Sequence, residues 1–283
     1  MKQFNFPAVK QRFDRVAEHY DANAFIMEDI VGRLMSRLSF IKLEPKHCVD
    51  LGCGTGIVSK ALQNQFPNAK VTGVDFSQAM IEQYRKKQAL PAHLTSAQAL
   101  PFPDNSIDLI VSNIMLPWCD DLSLVFKEAK RVLRPDGVLL FSTFGPDTFC
   151  ELRQAWAGVD ERAHVQVFLD MHDVGDALLK SGFADPVMDV ERVTLKYKTL
   201  DVMLKEIKAM GLSNLLQNRF RGLTGKSVWK QFENHFLHDS AGKLDLSLEL
   251  VFAYAIKNDE IKNNPEEQTF SLDALRRTLR GHR

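Results

Sequence analysis

The amino-acid sequence predicts an α/β fold built on a mainly parallel sheet with helices on both faces, and three observations carry that prediction. A short apolar run closing on Val49-Asp50-Leu51 leads into a glycine-rich turn, Gly52-Cys53-Gly54-Thr55-Gly56. A second apolar run, Val71-Thr72-Gly73-Val74, ends in Asp75 about twenty residues beyond the glycines. Between and after them, apolar runs alternate with stretches of helical periodicity, which is the strand-helix-strand pattern of a parallel sheet.

The glycine turn comes first in the chain and says most about a ligand. Three glycines at alternate positions, between a strand and a helix, let backbone N–H groups approach a bound molecule closely, because glycine accepts positive φ and has no Cβ. A merely structural turn would look similar. A dinucleotide loop of the form G-x-G-x-x-G requires glycine at position 57, where the chain has Ile57. No Lys-Ser or Lys-Thr pair closes the loop, as a phosphate-cradling nucleoside triphosphatase needs. The stretch from Asp50 to Gly56 instead resembles the first motif of the Rossmann-like S-adenosylmethionine-dependent methyltransferases, whose loop receives the methionine part of the cofactor.

Asp75 stands where a doubly wound fold places a ribose-binding carboxylate, and one carboxylate accepts hydrogen bonds from two vicinal hydroxyls. Its alternative role is to cap the following helix, although Ser77 is placed to be the N-cap of a helix over Gln78 to Lys87. The next segments, Ser96-Ala97-Gln98-Ala99-Leu100-Pro101-Phe102 and Asp104 to Asn113, are similar to the adenine-side loop and fourth strand of the same methyltransferases. Many members have Asp where Ser96 stands, and a hydroxyl is the weaker acceptor for an adenine amino group. The backbone groups of Ala97 and Gln98 offer adenine contacts that do not depend on a side chain.

Further along, Leu122, Val125, Phe126, Ala129 and Val132 have helical spacing, and Arg134-Pro135-Asp136-Gly137 reads as a turn before a buried strand over Val138 to Phe144. A helix over Asp170 to Lys180, stopped by Gly182, precedes two β-rich runs at Val187 to Tyr197 and Leu246 to Ile256. The segment Thr199 to Asp239 between those runs reads as helices and loops with Met203, Leu204, Ile207 and Met210 on one face. From Asn258 to Arg283 the chain turns polar, with a marginal helix around Leu272, Leu275 and Leu279.

Composition sets bounds. The 283 residues with 45% hydrophobic content suffice for one generous α/β domain with an insertion. The 36 basic and 36 acidic residues balance, so no global charge points to nucleic acid or to an anionic membrane. No apolar run approaches the length of a membrane span and the first residues lack a signal-peptide pattern, which predicts a cytoplasmic protein. Cys48, Cys53, Cys119 and Cys150 have neither a C-x-x-C pair nor a His partner at zinc spacing, so free thiols and no metal are expected.

The resemblance narrows at Phe13-Asp14-Arg15-Val16-Ala17-Glu18-His19-Tyr20-Asp21, at Ser112-Asn113 to Trp118-Cys119, and at Phe141 to Asp147-Thr148 continuing through Glu151 to Trp156 and Val159 to His164. These segments resemble the malonyl-acyl-carrier-protein O-methyltransferases of biotin synthesis. The resemblance implies a Rossmann-like, seven-stranded sheet, with a cap helix over residues 1–30 and a core of 31–198 and 241–257; the segment over 199–240 reads from its own pattern as a helical lid between the last two strands, and the polar tail over 258–283 lies beyond the resemblance. It implies S-adenosylmethionine held by Tyr20, Asp50, Gly52, Cys53, Gly54, Asp75, Phe76, Met80, Ser96, Ala97, Gln98 and Asn113. It implies methyl transfer to the free carboxylate of a malonyl thioester on acyl carrier protein or coenzyme A, with Tyr20, Arg153, Arg162 and His164 as the acceptor-side residues. Tyr20 also fits a core aromatic on the face shared with Phe13, Val16 and Ala17, and each of the three cations also fits plain solvated surface. Lys208, Arg219, Arg221, Lys226 and Lys230, with no acid among them, form a basic patch suited to an acidic carrier protein. Two other readings stay open on the sequence: methylation of another small acceptor such as a quinone intermediate, and a non-methylating assembly factor of a respiratory complex.

Overall fold

A computed structural model describes residues 6–219 and 222–258. The chain enters through α1 (Phe6–Val16), two short 3-10 turns (Ala17–His19 and Asp21–Asn23) and α2 (Phe25–Leu38). It then alternates through β1 (His47–Leu51), α3 (Ile57–Gln65), β2 (Lys70–Asp75), α4 (Gln78–Gln88), β3 (Ala92–Leu94) and β4 (Ile107–Asn113). The second half runs through α5 (Leu122–Val132), β5 (Leu133–Phe144), α6 (Cys150–Ala157), α7 (Met171–Lys180), β6 (Ala184–Tyr197), α8 (Leu200–Ala209), α9 (Lys226–His235) and β7 (Leu244–Ile256).

The strands form one seven-stranded sheet in the order β3-β2-β1-β4-β5-β7-β6. Pairings from β3 through β5 are parallel, and β7 runs antiparallel to both β5 and β6. Side chains alternate across a strand, so the strands split their apolar residues between two cores. Cys48, Leu109, Val111 and Leu140 face α2 and α3 together with Met203 and Phe232 from the segment between β6 and β7. Val49, Ile110, Leu139 and Phe141 face α5 and α7. Helices therefore cover both faces, as the sequence pattern predicts.

Local signals explain most element ends. Ser77 caps α4 by accepting the Met80 N–H, Asp121 caps α5 at Ser123 and Leu124, and Asp170 caps α7 at His172. The Arg134 to Gly137 turn is present, but it is contained within β5 as an irregularity, with Asp136 at φ 62° and pairing resuming at Leu109 and Val138. Pro186 sits where the β6–β7 register shifts between Ala184 and Val187, on the sheet's edge strand, where its missing N–H costs no ladder bond. The predicted polar tail lies outside the described residues from 259 onward. No helix among the described residues is long and apolar enough to cross a membrane.

Candidate functional site

The cavity of interest opens at the carboxyl ends of β1, β2 and β4, where open α/β sheets bind ligands. Its floor is the glycine turn. Gly52 has φ +77°, and a Cβ there would fall 2.4 Å from Cγ of Met115, so the position is closed to any side chain. Gly54, at φ +50°, has the opposite surroundings: nothing lies within 4 Å of the place a Cβ would take, and the residue lines the cavity. A side chain at Gly54 would enter the space a ligand needs.

Two buried carboxylates support this turn. Asp75 accepts the Gly54 N–H through Oδ2 at 2.9 Å and the Ser77 N–H through Oδ1 at 2.8 Å, which ties the turn to the end of β2. Burial pushes the Asp75 carboxyl up to about 6, against the pull of those N–H groups. Asp50 lies beneath the turn. Its Oδ2 accepts both the backbone N–H and the hydroxyl of Ser59, at 2.8 and 2.7 Å, while its buried Oδ1 has no hydrogen-bond partner. Burial pushes this carboxyl up to about 7; Ser59 opposes the shift and the charge of Asp75 adds to it. An ionised carboxylate with an unmet buried oxygen is costly unless a cation or donor reaches it.

The N-terminal segment roofs the cavity. Phe13 packs edge-on against Trp118 at 5.3 Å and against Phe76 at 6.1 Å, and Tyr20 lines the same space with Met27. Polar bonds hold this cover down: Ser77 Oγ donates to Asp14 and Thr55 Oγ1 donates to Asp21, both at 2.6 Å. Burial and then the charges of Asp75 and Asp21 raise the Tyr20 phenol, so it stays a neutral donor. The opposite wall comes from Asn113, Ile114, Met115, Met210 and Leu212. Ile114 holds φ +51° immediately after β4, a conformation costing a branched side chain on the order of 1–3 kcal/mol. Its N–H bonds Ser142, whose hydroxyl in turn donates to Asn113 Oδ1 at 2.6 Å.

Of the residues expected at the cofactor, Tyr20, Gly52, Gly54, Asp75, Phe76, Met80 and Asn113 line this one cavity. Cys53 and Asp50 are buried under the turn. Ser96, Ala97 and Gln98 line an adjoining cavity that shares Phe76, Met115 and Trp118 with the first. Met27, Met210 and Leu212 join the lining without a sequence signal, since isolated apolar residues in distant segments carry none.

Arg153, Arg162 and His164, expected on the acceptor side, line one cavity between α6 and the 216–218 stretch, but it is separate from the first and shares no lining residue with it. Arg153 donates to the carbonyls of Thr148 and Pro146. His164 lies flat on Trp156, with ring centroids 3.6 Å apart, and its Nε2 is 2.7 Å from Asp160. The other face of Trp156 stacks on Phe232 of α9 at 4.2 Å, so this cavity also fastens the α8–α9 segment to the core.

Comparison with known proteins fits this geometry. Residues 49–141, from β1 through most of β5, match the family model described as a methyltransferase domain. An S-adenosylmethionine-dependent methyltransferase of Thermotoga maritima shares the fold with a TM-score of 0.53 at 19% identity, covering 88% of this chain and all of that one. The fold, the glycine turn and the matched domain define an S-adenosylmethionine-dependent methyltransferase of the Rossmann-like class. Malonyl-[acyl-carrier protein] O-methyltransferase of Legionella pneumophila is 40% identical over 260 residues, 90% of this chain and 92% of that protein. Malonyl-[acyl-carrier protein] O-methyltransferase 1 of Coxiella burnetii is 38% identical over 273 residues, 95% of each chain. The chain belongs to the malonyl-[acyl-carrier protein] O-methyltransferase family.

The residues present suit the cofactor. Asp75 would offer a carboxylate to ribose hydroxyls, the Phe76, Met80 and Met115 surfaces would form an apolar slot for a base, and Asp50, buried beneath the turn with Oδ1 unpartnered, would add a negative field under the methionine side.

Proposed function

We propose that this protein methylates the free carboxylate of a malonyl thioester on acyl carrier protein, an early step of biotin synthesis. The observation that carries the reading is near-full-length similarity to relatives bearing that name, joined to a roofed cavity whose lining suits the methyl donor.

S-adenosylmethionine supplies a methyl group already activated on a sulfonium. A malonyl carboxylate titrates near pKa ~4, so it is ionised at neutral pH and needs no general base. The protein's work is then to align and to dry the reacting groups, a proximity effect worth roughly 7 to 11 kcal/mol. Asp75 and the glycine turn fix the donor from below. Tyr20, Phe13 and Trp118 close over it and exclude water, with the Tyr20 hydroxyl available to orient the acceptor.

The segment 199–240 acts as a lid, since its Met210 and Leu212 contribute to the cavity wall. Its cations Lys208, Arg219, Lys226 and Lys230 attract an acidic carrier protein, chiefly raising the association rate; Arg221 lies outside the described residues. Arg153, Arg162 and His164 serve acceptor binding from their separate cavity, away from the reacting atoms, with Arg153 shaping the 146–148 turn.

The test is direct. Purified protein with S-adenosylmethionine and malonyl-acyl carrier protein is expected to give the malonyl methyl ester by mass spectrometry, and unmalonylated carrier none. Malonyl-CoA in a parallel reaction measures how much the carrier contributes. Absence of ester from both malonyl substrates would overturn the reading.

A further inference from the structure

Asn113 ends β4 at the wall of the donor cavity, and its carboxamide is held in one orientation. Ser142 stands beside it on β5, in register across the parallel pair and fully buried. The Ser142 hydroxyl accepts the Ile114 N–H at 3.2 Å, which leaves its hydrogen to donate to Asn113 Oδ1 at 2.6 Å. On the other side, Asn113 Nδ2 lies 3.5 Å from the Met27 carbonyl, a group that only accepts. A flipped amide would set Oδ1 against that carbonyl, so the two neighbours together fix which end is nitrogen. The long contact to Met27 engages at most one N–H of the amide, and the other remains for the cavity that Asn113 lines.

Among the described residues, no Lys, Arg or His lines this cavity, and Arg153, Arg162 and His164 line another that shares no residue with it. The acceptor carboxylate must nevertheless reach the methyl group here. Methyl transfer joins a carboxylate oxygen to the methyl carbon and returns the C–S electron pair to sulfur, so opposite charges cancel and no proton moves. A guanidinium on the carboxylate would stabilise its full charge before transfer more than its fading charge in the transition state, and would raise the barrier. A neutral N–H donor positions the oxygen with less of that penalty. We infer that Asn113 Nδ2 holds the acceptor carboxylate by a hydrogen bond in the donor cavity, with Ser142 as the positioning residue that aims it. This rests on the acceptor class proposed above. It moves Asn113 from the cofactor, where its motif alone places it, to the acceptor, and leaves the three cations to parts of the acceptor remote from the reacting atoms.

The experiment uses Asn113→Asp, Asn113→Ala, Ser142→Ala and the double variant Asn113→Ala with Ser142→Ala. Asn113→Asp keeps the shape and the bond from Ser142, but sets a negative charge against the acceptor carboxylate and none against the sulfonium and ammonium of the donor. Both Asn113 variants are expected to raise KM for malonyl-acyl carrier protein roughly tenfold or more, the scale of a lost bond to a charged group, with affinity for S-adenosylmethionine nearly unchanged. Ser142→Ala should raise the same KM severalfold alone and add nothing in the Asn113→Ala background, the coupling expected of a residue that acts through another. Additive effects would overturn the positioning role in favour of plain packing. A loss of donor affinity as large as the loss of acceptor affinity would overturn the inference and return Asn113 to the cofactor. Calorimetry on the protein with S-adenosylhomocysteine bound supplies a readout that does not need methyl transfer. The wild type is expected to bind malonyl-CoA roughly tenfold more tightly than acetyl-CoA, which lacks the carboxylate, and Asn113→Asp to lose that preference. If no malonyl acceptor is methylated, the proposed function falls, and this titration still decides the contact. No preference in the wild type, or one that survives in Asn113→Asp, would refute it.

Discussion

Thr55 in the glycine turn donates its hydroxyl to Asp21 in the N-terminal cover at 2.6 Å, and this bond joins the floor of the donor cavity to its roof. Lys87 of α4 pairs with the same carboxylate, so Asp21 holds the turn, the cover and a helix together. The cover is thus fastened by polar bonds at a few points, an arrangement suited to opening for ligand exchange and closing for chemistry.

Loosening that latch should act on exchange before it acts on stability. Asp21→Ala is expected to speed dissociation of S-adenosylmethionine roughly tenfold, on the scale of one charge-assisted hydrogen bond. Stopped-flow fluorescence measures the rate, and hydrogen exchange over residues 8–24 should accelerate while the sheet stays protected. An unchanged dissociation rate would show that the cover does not gate the cavity.

The raised Asp50 carboxyl predicts a pH dependence with a definite sign. A free carboxyl titrates near ~3.9, whereas Asp50 is pushed up to about 7 in the fold. Between those values the folded protein holds more protons than the unfolded chain, so this group's contribution to stability falls as pH rises through that window. A cationic ligand in the cavity above the turn favours the ionised form through its charge and offsets that loss. The rise in melting temperature caused by saturating S-adenosylmethionine should therefore be larger at pH 8 than at pH 6. Asp50→Asn should flatten the difference, and differential scanning fluorimetry on both proteins is the check.

Tyr20 separates covering from hydrogen bonding. If its ring mainly excludes water, Tyr20→Phe keeps kcat within about fivefold, while Tyr20→Ala loses on the order of 100-fold through misplacement of the reacting groups. A large loss in the Phe variant would move the role to the hydroxyl. Single-turnover assays with saturating donor distinguish the two.

Arg37 of α2 pairs with Asp189 and Glu191 of the edge strand β6, and its guanidinium lies 3.7 Å over the Phe252 ring of β7. Removing the side chain loses cation–π contact and partly exposed ion pairs, together about 1–2 kcal/mol. Arg37→Ala is expected to lower Tm by roughly 3–8 °C with donor affinity intact. A double-mutant cycle with Asp189→Ala should show coupling, and additive effects would mean the pair contributes nothing.

The parts of the fold that were readable were those written in contiguous residues. The strand, turn and helix around Gly52 to Gly56, the cap at Ser77, the helix ending near Gly182 and the strands leading to Tyr197 and Ile256 each have a local signal. The short β3 and the start of β5 at Leu133 lack one: a three-residue strand has no period to detect, and β5 begins before a turn that reads as its boundary. The site divided in the same way. Seven of the expected cofactor residues meet in one cavity because they flank the carboxyl ends of neighbouring strands. Arg153, Arg162 and His164 follow the fifth strand too, but α6 carries them outward to a cavity of their own beside Trp156.

By itself the sequence determined the glycine turn after the first strand, the acid at the end of the second and the family, because a motif needs only a few residues at fixed spacing. Tertiary structure alone decided that Asp50 keeps one oxygen unmet and that Met210 and Leu212 reach the wall of the donor cavity. Those relationships depend on how helices separated by some two hundred residues pack across a sheet. Packing is set by the shape and burial of whole surfaces, which no local pattern encodes.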